Sequence, residues 1–224
     1  MTALSSNAVS AVIRLAHKYH VADTQNQALL FLQDHCFTSD FDRYEEHTKG
    51  SLQICDAYGI AGVNLARLTD TPSLLPDALL SCCLLQGAIF DGWKREDGTV
   101  EHLSAEDLRR CVVARTTLTA RNLQIMGCVF EAQPSDNCDN PPRCSRGMDA
   151  RCSCLVREGT VFEYGPIIDW AEVIRYTAQE SAICSECEKD LQARNARERR
   201  KFWEDLPKIF GITVDRWPSS GAGN

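Results

Sequence analysis

The chain has 224 residues, 44% apolar and 25% charged, a balance that suits a globular protein with a substantial core. Its formal net charge of −7 argues against broad binding to nucleic acid or acidic membranes, both of which favour a basic surface. No run approaches the roughly 18 apolar residues of a membrane span, and the apolar N-terminal stretch, broken by Arg14, does not resemble a secretory signal. Twelve cysteines in such a sequence point to a reducing intracellular setting, nucleus or cytoplasm, where clustered thiols favour metal over disulfide.

In chain order, residues 7–20 place Val9, Val12, Ile13, Ala16 and His20 on one apolar stripe of a helix. Asp23 or Thr24 caps a second helix that carries Ala28, Leu29, Phe31, Leu32 and Cys36. Residues 38–49 read as a loop or a short exposed helix. A further helical stretch runs from Ser51 through Ile54, Cys55 and Tyr58 to a stop at Gly59, and residues 60–69 and 74–86 form another pair. A weak repeat is visible at an offset of 50 residues. Leu15-Ala16 matches Leu65-Ala66, and Ala28-Leu29-Leu30 matches Ala78-Leu79-Leu80, each unit reading as helix, short break, helix.

Asp91-Gly92 and Asp97-Gly98 mark turns around Trp93 and predict a loop or a short hairpin. Ser104 and Asp107 resemble a capping box and open a long helix through Cys111, Leu118 and Leu123. Residues 131–165 hold three prolines and four cysteines with little periodicity, which predicts an irregular segment in need of a cross-link. Pro166 then opens a helix with Ile167, Trp170, Val173, Ile174 and Thr177 on one face, and a last helix runs from about 181 to 206.

The cysteine pattern carries the chemistry. Cys184 and Cys187, two residues apart, can turn both sulfurs to one metal ion, and Cys138 with Cys144 supplies an opposite half-site. Zinc, which takes four thiolates tetrahedrally and does no redox chemistry, suits a site that holds a loop to a helix. Cys152 and Cys154 are alternates for the first pair, whose spacing of five exceeds the usual range. Free structural thiols and a regulatory disulfide are the competing readings of the same residues. Cys82-Cys83 among leucines, and Cys36, Cys55 and Cys111, read as core.

Other features point to structure. His17 and His20 are three apart without a third ligand nearby. The basic run Arg194, Arg197, Arg199, Arg200 and Lys201 alternates with Asp190, Glu198 and Glu204, as a salt-bridged helix face does. Phe202, Trp203, Leu206, Ile209 and Phe210 read as docking that helix end onto the body. No phosphate-binding glycine loop, His-Glu-x-x-His or Gly-x-Ser-x-Gly elbow is present, so the sequence suggests no enzyme.

The order of these motifs resembles a known family. Val12-Ile-Arg-Leu-Ala-His-Lys-Tyr-His-Val with Ala28-Leu29 and Leu32 is similar to the two C-terminal helices of BTB/POZ domains. Val63-Asn-Leu-Ala, Leu74-Leu-Pro-Asp-Ala-Leu, Leu103 through Cys111, the cysteine pairs and Phe202-Trp203 to Gly211 resemble the helical extension that follows that domain in fungal BTB/POZ proteins. The mixed strand-and-helix core used for pairing in those proteins has no counterpart here. The resemblance implies protein–protein interaction rather than catalysis.

The sequence therefore predicts an all-α protein of packed helical pairs, with a cysteine-rich irregular loop and a long C-terminal helix. Its expected divisions are a helical-pair domain over 1–130, a cysteine-rich part with helices over 131–217, and a flexible tail over 218–224. Its expected role is a non-catalytic adaptor or scaffold, with one structural zinc on Cys138, Cys144, Cys184 and Cys187 and partner proteins reached through the N-terminal stripe. A zinc-dependent nucleic-acid-binding regulator is the alternative, followed by a thiol redox protein.

Overall fold

The computed structural model describes residues 6–49, 58–159, 167–180, 182–215 and 217–218, and these are helical almost throughout, as the sequence predicts. They divide into two compact units, Met1–Ala114 with Glu204–Asn224, and Arg115–Trp203. The first contains α1 (Ser6–Lys18), α2 (Ala22–His35), α3 (Phe41–Lys49), α4 (Tyr58–Leu68) and α5 (Leu75–Leu84), the last led in by a 3-10 turn at Pro72–Leu74. A two-stranded antiparallel hairpin follows, β1 (Trp93–Lys94) with β2 (Val100–Glu101), and then α6 (Ala105–Val129) begins. The second unit holds the rest of α6, α7 (Pro141–Glu158), α8 (Ala171–Gln179) and nearly all of α9 (Ser185–Glu204). The short α10 (Leu206–Phe210) belongs to the first unit again and packs on α5.

The repeat at an offset of 50 is real in the backbone. Helix α1 packs on α2, α4 packs on α5, and the two pairs meet through α1 and α4. Both first helices end in the same way. His20 and Asp70 lie in the left-handed region, at φ 57° and 51°. The N–H of Val21 donates to Ala16 O and that of Thr71 to Ala66 O, each at 2.9 Å. These are paired Schellman closures, formed at a residue other than the usual glycine. The buried positions also correspond: Ile13 and Val63, Ala16 and Ala66, Leu29 and Leu79, Leu32 and Cys82.

Two sequence expectations change here. Gly59 does not stop a helix; it lies in the first turn of α4, facing α5. A Cβ at residue 59 would stand 3.0 Å from Cys82 N and 3.0 Å from Ser81 Cβ, so glycine permits the two helices to cross closely. The rest of the helix expected over 51–57, with Cys55, lies outside the described residues, as does the tail from 219. The N-terminal stripe also divides: Val9, Ile13 and Ala16 are buried, whereas Val12 is 37% exposed and His20 sits in the exposed turn. The apolar residues left facing outward are Val12 and Leu15 on α1 and Tyr19 in the turn after it.

The hairpin joins the two pairs through one carboxylate. Glu101 is buried and accepts from Arg14 Nη2 at 2.7 and 2.6 Å, from Asn64 Nδ2 at 2.9 Å and from Arg95 Nε. Arg14 and Asn64 occupy equivalent positions of the two repeats, so both copies contribute a donor to the same acceptor. Trp93 packs edge-on against Tyr58, which in turn stacks on Phe37.

Asp77, at the start of α5, is 4% exposed and accepts one bond, from Thr38 N at 2.9 Å. Burial pushes its carboxyl up to about 7, with the Thr38 N–H acting the other way. Folded Asp77 thus holds a proton that the unfolded chain gives up near 3.8. Stability is highest below that value and falls as pH rises toward about 7, by on the order of 2–4 kcal/mol. Asp77→Asn, measured by denaturant unfolding at several pH values, is expected to match the wild type at pH 4 and to exceed it at pH 8.

In the second unit the largest correction concerns 131–165. Residues 141–158 form the long helix α7. Pro141 and Pro142 occupy its first positions, where a missing N–H costs nothing, and Asn140 Oδ1 accepts from Arg143 N at 3.2 Å as the N-cap. Two of the three prolines that suggested an irregular segment start a helix. Helix α8 opens at Ala171, and Pro166 lies outside the described residues. Trp170 and Ile174 are buried, and Asn195 and Asn122 cap the backbone around them by accepting from Trp170 N and Ile168 N, each at 3.3 Å.

Candidate metal centre

Two helix starts build the centre. Cys138 sits in a turn two residues ahead of the Asn140 cap, and Cys144 in the first turn of α7. Cys184 immediately precedes α9, and Cys187 lies in its first turn. Their four sulfur atoms all lie within 4.8 Å of one another. Cys144 and Cys187 are fully buried, Cys184 is nearly so, and Cys138 is half-buried. The sequence-predicted ligand set is thus brought together as one cluster. The wide spacing of Cys138 and Cys144 is explained by the intervening cap, which places the two sulfurs on either side of a helix N-terminus.

The donor set suits a metal that accepts four thiolates. With zinc–sulfur bonds of about 2.3 Å, tetrahedral geometry sets sulfurs about 3.8 Å apart, and Cys138 Sγ lies 3.7 Å from Cys184 Sγ. Backbone N–H groups already point at the sulfurs. Cys184 N donates to Cys144 Sγ at 3.3 Å and Ser135 N to Cys187 Sγ at 3.4 Å. The positive ends of α7 and α9 oppose the charge that four thiolates would gather.

The thiols are not alike. Burial acts to raise Cys184, but the N–H groups of Cys187 and Asp139 and the thiols of Cys187 and Cys138 outweigh it and bring it down to about 6. Cys187 and Cys138 are both raised, in each case chiefly by burial. A metal would draw protons from the thiols as it bound.

Outside the cluster, the loop is held by its neighbours. Arg194, 9% exposed, donates through Nη1 to Glu131 O at 3.1 Å and through Nη2 to Gln133 O at 2.5 Å, and pairs with Asp190 at 2.6 Å. Ser145 Oγ donates to Ala132 O at 2.9 Å. A Cβ at Gly147 would stand 2.4 Å from Ala182 O, so α7 lies directly against the backbone that leads into Cys184. Sequence reading placed Arg194 on a solvated face; only its Asp190 partner four residues back was visible there. Arg194→Ala is expected to weaken metal affinity by roughly 10- to 100-fold, as loss of an outer support does, with Arg194→Lys intermediate, measured by competition with a chelating dye.

The remaining candidates lie elsewhere. Cys152 and Cys154 occupy later turns of α7, and the Cys154 thiol donates to Glu158 Oε1 at 3.0 Å. Cys82, Cys83 and Cys111 are core residues of the first unit. Burial pushes the Cys36 thiol up to about 12. The ring of His35 meets Phe31 O and that of His47 meets Asp34 O, and His17 and His20 sit on the surface. Along α9, Arg197 and Lys201 pair with Glu198, and the buried Arg199 pairs with Asp169. Phe202, Trp203, Leu206 and Phe210 are buried as docking residues should be.

Comparison with known proteins yields no relative: no family model, no curated protein and no solved structure matches the chain. Among the described residues, no helix is long and apolar enough to cross a membrane.

Proposed function

We propose that the chain is a non-catalytic protein-interaction module, of the kind that the helical extension of fungal BTB/POZ proteins represents, acting inside the cell. A structural zinc on Cys138, Cys144, Cys184 and Cys187 holds its second unit. The observation that carries the zinc is the convergence of four sulfurs, from two helix starts, within 4.8 Å. Bound there, zinc would supply cross-linking and no reaction, because all four positions around it are filled by protein. The chain's own residues place the sulfurs and aim N–H groups at them.

The interaction role is supported by the apolar residues left exposed on α1 and the turn after it, where Leu15 is 56% and Tyr19 65% exposed beside the buried Val9, Ile13 and Ala16. Nucleic acid fits less well. The second unit carries thirteen Lys and Arg against thirteen Asp and Glu, and the whole net charge of −7 falls on the first. The test is affinity capture from a cell extract with the wild-type chain and with Leu15→Asp/Tyr19→Asp. A set of proteins lost in the variant, with its helical content unchanged, supports the reading; identical capture by both removes it.

A further inference from the structure

The four ligands differ in shelter, and that difference has chemical consequences. Cys138 alone is half-buried, while Cys144, Cys184 and Cys187 are buried. Cys138 Sγ lies 3.7 Å from Cys184 Sγ, 46 residues on in sequence, and the sulfurs of Cys144 and Cys187 also lie within 4.8 Å. A thiolate is the form that attacks oxidants, and a small peroxide meets the outermost sulfur first.

Resting on the zinc reading of this cluster, we infer that Cys138 and Cys184 form a peroxide-sensitive pair whose oxidation expels the metal. The Cys138 thiolate attacks one oxygen of hydrogen peroxide; the O–O bond breaks, leaving a sulfenic acid on Cys138 and a hydroxide ion. The Cys184 thiolate then attacks the Cys138 sulfur; the S–O bond breaks and a second hydroxide leaves. Two thiolates have given two electrons to the peroxide and become one disulfide. Zinc keeps only Cys144 and Cys187 as protein ligands and passes to water.

The outcome is selective in the fold. The disulfide ties the turn before Asn140 to the start of α9, as the metal did. Cys144, and with it the first turn of α7, loses its tether. Cys128, which is exposed, and Cys152 and Cys154 on α7 lie outside the cluster, so their oxidation leaves the metal in place.

The experiment treats the zinc-loaded full chain with one equivalent of hydrogen peroxide beside a zinc-sensitive dye, then maps disulfides by peptide mass spectrometry. Expected are release of about one zinc per chain, a Cys138–Cys184 bridge, and recovery of zinc binding after dithiothreitol. Cys138→His keeps a metal ligand without an oxidisable sulfur and is expected to release zinc at least roughly ten-fold more slowly. Zinc retained under peroxide, or released with the bridge in another pair, overturns the inference while leaving the zinc reading standing. A chain that takes up no zinc before peroxide is added overturns the zinc reading itself, and the inference with it. Should Cys138→His bind no zinc, the wild-type bridge map alone decides.

Discussion

Cys184→Ser is expected to cost the protein its metal and much of the stability of its second unit together. The wild type should carry about one zinc per chain by elemental analysis, and both Cys184→Ser and Cys138→Ser should carry little. The reason is cooperative: the binding energy of a tetrathiolate site is folding energy, because the unfolded chain has no preformed site. The short stretch before Asn140 and the starts of α7 and α9 meet at the cluster, so a missing ligand loosens all three. Thermal unfolding of wild type with and without a strong chelator should reproduce the effect, with a loss that is a sizeable part of the roughly 10–16 kcal/mol with which such sites bind zinc. Ser in place of Cys144 serves as a third check, since that side chain is fully buried and its sulfur also accepts the Cys184 N–H. A wild type equally stable with and without metal would refute the structural zinc.

The second large effect is expected at Glu101. Glu101→Ala removes the acceptor shared by Arg14, Arg95 and Asn64, and should destabilise the first unit by about 2–4 kcal/mol. Burial already pulls the Arg14 guanidinium down, and Glu101 is the main counterweight. Without it a partly desolvated cation is left facing a second one, Arg95. The double variant Arg14→Ala/Glu101→Ala should recover part of the loss, because the stranded charge is gone; chemical denaturation of the four proteins gives the coupling directly. Strict additivity would show that Arg14 and Glu101 are not coupled.

Both predictions depend on features that were unequally legible in the sequence. The all-α class followed from periodicity, and Cys184 with Cys187 from a spacing that a single turn dictates. The opposite half-site was only partly legible, since Cys152 and Cys154 stood as alternates; Cys144 joins Cys138 in the cluster because Asn140 starts the helix there. Helix α7 itself was hidden: Pro141 and Pro142 read as breakers when their position at the first turn makes them starters. Gly59 misled for a related reason, since a glycine signals either a stop or a close crossing and sequence does not distinguish them. Glu101 and Arg194 were not legible, because their partners are set by long-range packing. The 50-residue repeat rested on a few common residues in the sequence, whereas in the backbone it shows as two matching left-handed turns at His20 and Asp70.

The order in which the units follow one another along the chain also bears on how the protein is made. Residues 115–203 form the second unit, and α10, which follows them in the chain, returns to the first. Until α10 is made, α5 has no Leu206 or Phe210 against it, and Arg110 has no Phe210 and Gly211 carbonyls to hold at 2.9 and 2.6 Å. The first unit can therefore close only when residues on both sides of the second have been made, whereas the cysteine cluster draws on residues 138–187 alone.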